Sequence, residues 1–155
     1  MGAIALREVT ADSVLRICRL AVAPDQQRFV APNAVSIAQA YFEPAAWFRA
    51  IHDGDVPVGF VMLYDPRRAV APRDPDVAFL WRFMVDAAHQ GRGVGSRALD
   101  LVVAHARTLP GIARLRVSYV DAPGHPAPFY AGAGFVPTGA IEDGEVVMER
   151  SLHDA

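Results

Sequence analysis

Apolar and polar positions along the chain change period several times, and each change marks an element. Residues 4–9 read as a short strand. Thr10 then offers a helix cap, and Val14, Ile17, Cys18 and Ala21 recur at i, i+3, i+4 and i+7. Residues 24–32 are polar and proline-containing and interrupt the pattern. Ser36 with Gln39 three residues on has the form of a capping box. It predicts a helix opening there and ending at Glu43-Pro44, because the residue before proline is steered out of the helical region.

Residues 47–52 and 58–64 read as strands joined through Asp53-Gly54-Asp55, and Asp-Gly between such runs signals a hairpin. Residues 66–76 hold three prolines and five charged residues and predict an exposed loop. Residues 77–86, VAFLWRFMVD, are mostly apolar on both faces, as in a central strand covered on both sides. A glycine-rich turn follows, then a helix carrying Leu99, Val102, Val103, Ala106 and Leu109 on one stripe, stopped by Pro110-Gly111. Residues 112–120 alternate like a strand and residues 126–133 predict a short helix. Gly134 is a left-handed stop, and from Phe135 a last pair of strands turns at Asp143-Gly144. The order β-α-α-β-β-β-α-β-α-β-β, without repeat or linker, predicts one mixed α/β domain over residues 1–155.

Composition narrows the chemistry. Of 155 residues, 52% are hydrophobic and 21% charged, an ordinary globular balance. All 15 basic side chains are arginine, which excludes Schiff-base chemistry, a pyridoxal-phosphate anchor and the Walker A lysine. A net charge of -2 gives no footprint for nucleic acid. Cys18 is the single cysteine, so no internal disulfide or cysteine-rich zinc site is expected, and no metal. No apolar run nears the ~20 residues that span a bilayer, and the first ten residues lack a signal-peptide layout. A soluble cytoplasmic protein, with no membrane partner, is expected.

The most informative segment is Gln90-Gly91-Arg92-Gly93-Val94-Gly95-Ser96, between the central strand and the amphipathic helix. Glycines there let main-chain N–H groups converge, and the helix start adds unpaired donors and partial positive charge. The product is an anion cradle suited to a pyrophosphate. Besides tight packing alone, a Walker A loop and a dinucleotide fingerprint are the uses to weigh, and the first is out because there is no lysine. Residues 93–98 do satisfy G-x-G-x-x-A. However, Asp121 lies 28 residues beyond Gly93, where the ribose acid usually follows at about 20. Residues 87–92 also separate these glycines from their strand, and the repeated parallel βαβ half is missing.

Gln90, Gly93 and Gly95 occupy the three defining positions of the Q/R-x-x-G-x-G/A signature, and in this the chain resembles the GCN5-related N-acetyltransferases. The strand before, the helix after, Pro126-Ala127-Pro128-Phe129-Tyr130 and Gly134-Phe135 extend the resemblance over residues 4–152. Four segments look similar to bacterial diamine and spermidine/spermine acetyltransferases: 30–33, 80–86, 128–130 and 143–148. The resemblance implies acetyl-CoA as cofactor and transfer of its acetyl group to a primary amine, most of all a di- or polyamine. It implies that main-chain groups of Met84 and Val85 hold the pantetheine arm and the thioester carbonyl. Gln90, Gly91, Arg92, Gly93, Val94, Gly95 and Ser96 would bind the pyrophosphate, with Phe129 a further cofactor contact. Tyr130 would protonate the departing thiolate, since a phenol with pKa near 10 donates without staying ionised at neutral pH.

No acid occurs in residues 77–85, so a side-chain base is missing there; Asp86 suits a turn cap, and His89 and His125 lie in loops. Asp121 stands where many relatives have an asparagine on the cofactor arm. A polyamine site wants carboxylates and aromatic faces, for which Asp65, Asp74, Asp76, Glu142, Asp143 and Glu145 are available, with Trp81 and Tyr41 as walls. Amino-acid, aminoglycoside or protein N-terminal acceptors, or a non-catalytic acyl-CoA sensor, are the alternatives. A homodimer through the C-terminal strands is implied by resemblance only.

Overall fold

The computed structural model describes residues 2–153. Its seven strands are β1 (Ile4–Arg7), β2 (Ala46–Asp53), β3 (Val56–Tyr64), β4 (Val77–Val85), β5 (Arg114–Val120), β6 (Val136–Glu142) and β7 (Glu145–Ser151). The helices are α1 (Val14–Arg19), α2 (Asn33–Phe42), α3 (Val94–Arg107) and α4 (Ala127–Gly132). This is the element order expected from the sequence, with 3₁₀ turns added at Pro24–Phe29, Pro66–Arg68 and Ala87–His89. The strands form one sheet in the order β1-β2-β3-β4-β5-β7-β6. Every pairing is antiparallel except β4 with β5, the two strands that α3 connects.

Both faces of β4 are covered, as its apolar sequence requires. On one face Leu99, Val102, Val103 and Ala106 of α3 pack over Val61, Leu63, Ala78, Leu80 and Leu115. On the other, Ile17 of α1 closes over Ala50, Phe60, Met62 and Met84. Each large side chain buried in this way contributes roughly 1.5–3 kcal/mol. Both hairpin signals are realised: Gly54 turns with φ +60, and Asp143 and Gly144 both have positive φ, as a type I′ turn needs.

The Ser36–Gln39 pattern does not open α2. The helix begins three residues earlier, after Pro32, and Ser36 is fully buried inside it. Asn33 at its first position turns inward and donates from Nδ2 to the Ile17 carbonyl at 2.9 Å. Gln39 instead accepts from Arg82. The local capping pattern loses to this buried bond, which fastens α2 to α1.

One irregularity positions the site. The β4–β5 pairing stops at Phe79↔Arg116, whereas β5 stays paired with β7 as far as Val120↔Glu145. Opposite β3, Met62 faces Arg82 and Leu63 faces Leu80, so Trp81 is an extra residue, a bulge. Bulges bend and twist a strand. From Leu80 onward β4 therefore leaves β5, with its main chain on that side unpaired.

Candidate functional site

The gap between the parted strands is a cleft of about 460 Å³. Phe83, Met84 and Val85 form one side, Phe129 and Tyr130 another, and the turn from Gln90 to Ser96 closes the end. Strand alternation decides which amides face it. Asp86 N–H donates to the Val58 carbonyl, and Met84 pairs with Phe60 and Val85 with Gly59. Main-chain groups two residues apart face the same way, so Met84 turns its main chain toward β3. Phe83 and Val85 turn theirs into the cleft. Of the two residues expected to hold the cofactor arm, Val85 thus turns its main chain into the cleft and Met84 turns its away, with Phe83 in the phase that faces the cleft. The Met84 side chain lies on the far face, where Asn33 Nδ2 approaches its sulfur at 3.6 Å.

The glycine turn is built as a cradle. Gly91 and Gly93 have φ of +77 and +80, and Gly93 is the N-cap of α3. Non-glycine residues avoid that region for steric reasons, and a Cβ on either would meet nothing within 4 Å. The space beside each is thus open, and both glycines line the cleft. Gly95 differs from both: it has no positive φ, and a Cβ on it would sit in ordinary contact with Phe129 at 3.5 Å. The Gln90 amide fastens the turn, donating from Nε2 to the Val85 carbonyl and to Gln26 Oε1, each at 2.9 Å. Gln26 Nε2 donates back to Gln90 Oε1. Helix start and open glycines together offer unpaired N–H donors to an anion.

Tyr130 is 7% exposed, its ring edge-on to Phe129 and Phe135. Burial pushes its phenol well above the ordinary value, so it stays protonated at any physiological pH. Phe129 stacks against Phe83 at 5.8 Å and so ties α4 to β4 across the cleft.

A second cavity of about 490 Å³ lies on the other side of Phe29 and Val30, which line both. Its remaining wall includes Arg28, Phe79, Trp81, Arg82, Ser118 and Glu145. Arg82 donates to the Trp81 carbonyl and to Gln39 Oε1, and its Nε is buried with no partner. Burial draws its pKa below the ordinary value, and the Glu145 carboxylate opposes that shift. Glu145 itself accepts from Ser118 Oγ at 3.0 Å.

Of the residues singled out by sequence, Met84, Val85, Gln90, Gly91, Gly93, Gly95, Ser96, Phe129 and Tyr130 line the first cleft. Val94 is buried against Ile51 and Val58, and Arg92 bonds His89 Nδ1 at 2.7 Å; neither lines it. Asp86 accepts from Ala88 N–H and Ala21 N–H, the capping role its position suggested. Asp121 and His125 lie 4.0 Å from one another, outside both cavities.

The acids expected around a polyamine are mostly engaged elsewhere. Asp65 holds Arg67, Asp74 and Asp76 hold Arg116 and Arg114, and Glu142 holds Arg73. Only Glu145 of the six lines a cavity, where Trp81 is a wall; Tyr41 is 84% exposed on α2. Gln26 and Phe29 are cleft residues that sequence reasoning missed, since residues 24–29 carry no signal beyond polarity and proline; Val30, which also lines the cleft, begins the segment 30–33 singled out by resemblance. Among the described residues no three metal-ligating side chains converge, and no helix is long and apolar enough to cross a membrane.

Comparison with known proteins agrees with this geometry. A spermine/spermidine N(1)-acetyltransferase of Bacillus subtilis (strain 168) is 27% identical over 159 residues, 95% of this chain and 97% of that protein. An L-2,4-diaminobutyric acid acetyltransferase of Streptomyces avermitilis is 31% identical over 97 residues, covering 62% of this chain and 50% of that one. The crystal structure of an aminoglycoside acetyltransferase in complex with coenzyme A shares the fold with a TM-score of 0.77. It is 14% identical, over 96% of this chain and 95% of that one. The acetyltransferase (GNAT) family model matches residues 30–135, a span that holds the bulged strand, the glycine turn and Tyr130. The chain belongs to the acetyltransferase (GNAT) family.

Proposed function

We propose that this chain, as one acetyltransferase domain, moves the acetyl group of acetyl-CoA to a primary amine of a small aliphatic di- or polyamine. The observation that carries the reading is the meeting of two cavities along the unpaired stretch of β4. One ends in an anion cradle, and the other is lined by polar and charged groups. The relatives named for spermine, spermidine and diaminobutyric acid acetylation support an aliphatic amine as acceptor.

Acetyl-CoA supplies the activated thioester. The glycine turn and the first turn of α3 donate N–H groups to its pyrophosphate, and the main chain of Phe83 and Val85 aligns the pantetheine arm. Donors fixed in a strand edge stabilise developing oxyanion charge without having to reorganise. The C–N bond forms as the C–S bond breaks, the sulfur takes its proton from Tyr130, and the proton lost by the nitrogen returns to the Tyr130 phenolate through water, so that acid and amide product are both neutral at the end of the cycle. The apolar surroundings hold the phenol protonated, ready to donate when the thiolate departs. No carboxylate or imidazole lines the first cleft, so the amine arrives neutral.

The test is Tyr130→Phe, which keeps the ring contacts and removes the proton. General-acid contributions are typically about 10²–10⁴-fold, so kcat falls by at least about tenfold while acetyl-CoA affinity is unchanged. An undiminished kcat removes Tyr130 from the chemistry. Acetyl-CoA binding with no turnover on any amine leaves a sensor instead.

A further inference from the structure

The second cavity has a chemistry that a plain polyamine does not use. Its deepest cation is Arg82, whose guanidinium spends two bonds on the Trp81 carbonyl and Gln39. A guanidinium has five N–H donors, so three are left, and one of these, Nε, is buried with no partner. No carboxylate lies within ion-pair distance of Arg82 among the described residues; Glu145 acts on it only through space. Exposed Arg28 lines the same cavity and likewise forms no ion pair or hydrogen bond among the described residues. A half-buried cation without a bonded counter-ion is costly, and the carboxylate that shares its cavity, Glu145, is held by Ser118 rather than by Arg82. A chain of ammonium groups alone would meet two guanidinium charges and one carboxylate here.

We infer that the acceptor is a diamino acid: an aliphatic amine whose carboxylate pairs with Arg82 and Arg28 and whose α-ammonium pairs with Glu145. The inference rests on the acetyl-transfer reading above and narrows its acceptor class. The donors left on the Arg82 guanidinium lie in one plane, a geometry that suits the two oxygens of a carboxylate. With both head groups held in the second cavity, the distal amine is the one left to reach the thioester at β4. The acetyl group therefore ends on the distal nitrogen.

Matched pairs that differ only by the carboxylate test this: 2,4-diaminobutyrate against 1,3-diaminopropane, ornithine against putrescine, and lysine against cadaverine, with spermidine alongside. Thiol release gives kcat/KM for each, and fragment mass spectra give the acetylated nitrogen. The amino acid of at least one pair is expected to exceed its diamine by about tenfold or more, mainly through KM, with the acetyl group on the distal nitrogen. Arg82→Met is expected to collapse that ratio toward one, and Arg82→Lys to restore part of it. Arg28→Gln, on an exposed turn where folding is not at stake, lowers the ratio as well. Diamines or spermidine outrunning every amino acid overturns the inference and leaves acetyl transfer standing. A ratio unchanged in both Arg82→Met and Arg28→Gln, or acetylation at the α-nitrogen, also overturns it. Absence of turnover on every amine with acetyl-CoA bound removes the acetyl-transfer reading and the inference together.

Discussion

Replacing Gly93 by alanine separates backbone strain from ligand recognition, because the fold supplies its own control. Gly93 and Gly111 have nearly the same φ, +80 and +78, and a Cβ at either meets nothing within 4 Å. Gly93 caps α3 at the cleft end; Gly111 lies between α3 and β5 and lines neither cavity. Holding a non-glycine residue in the left-handed region costs about 1–2 kcal/mol. The lower entropy of an unfolded alanine returns about 0.4–1 kcal/mol. Each variant is therefore destabilised by about 1 kcal/mol, a fall in Tm of about 2–4 °C for a chain of this size.

Affinity for acetyl-CoA should separate them. At Gly93 the new methyl occupies the open side of the cradle, or the turn relaxes from its left-handed shape and re-aims its N–H groups. Each hydrogen bond to a charged group is worth about 1.5–3 kcal/mol, so losing one raises Kd by roughly ten- to hundredfold. Titration calorimetry beside thermal melts reads both quantities. Equal melting losses with a weakened Kd in Gly93→Ala alone is the expected result. Equal losses with equal, unchanged affinities would refute the cradle, and the turn would then be a packing device.

Gly59→Ala drives a Cβ into the Met84 carbonyl oxygen and against Ile51, with no flexible atom to yield at the carbonyl. Overpacking of this kind costs about 1–3 kcal/mol; a melt within 1 °C of the parent would contradict the β3–β4 register. His52 and His105 are both held below their ordinary pKa, first by burial and then by neighbouring arginines, Arg7 and Arg16 for one and Arg49 for the other. A depressed folded pKa means the unfolded chain binds more protons below about 6.5, so stability is full above that pH and falls as acid carries the protein through the folded values. Denaturant melts from pH 7.5 to 5 should show the midpoint dropping, and less so in His105→Gln; a flat profile would contradict the buried neutral imidazoles.

The order of elements was legible because each long segment carried its period and its punctuation: Asp-Gly at two hairpins, Pro-Gly after α3, and a doubly covered β4. Glycines 91, 93 and 95 were legible too, although only the first two serve the turn's positive φ, and the third packs beside Phe129. The failures are all tertiary. Ser36 satisfied a local capping rule, but Asn33 had a buried partner in α1 and the helix starts there. Choosing between Met84 and Phe83 required the phase of the β3–β4 ladder, which no local pattern encodes. Arg114 and Arg116 claim Asp74, Asp76 and Glu149 across two strands and a loop, a competition that spacing along the chain does not reveal. The 3₁₀ turn Pro24–Phe29 becomes a cavity wall only because Gln26 meets Gln90 from 64 residues away.

Direct passage of acetyl from thioester to amine is the central claim, and it is open to one decisive kinetic measurement. Cys18, the single cysteine, lies on α1 and lines neither cavity, and the chain has no lysine. Neither a thiol nor an amine nucleophile therefore lines either cavity. Initial rates across a grid of acetyl-CoA and acceptor concentrations should give reciprocal plots whose lines intersect. Intact-mass spectra after acetyl-CoA alone should show an unmodified protein. Parallel lines together with an acetylated protein would contradict direct attack and point to a hydroxyl or carboxylate of the cavity lining as the acceptor.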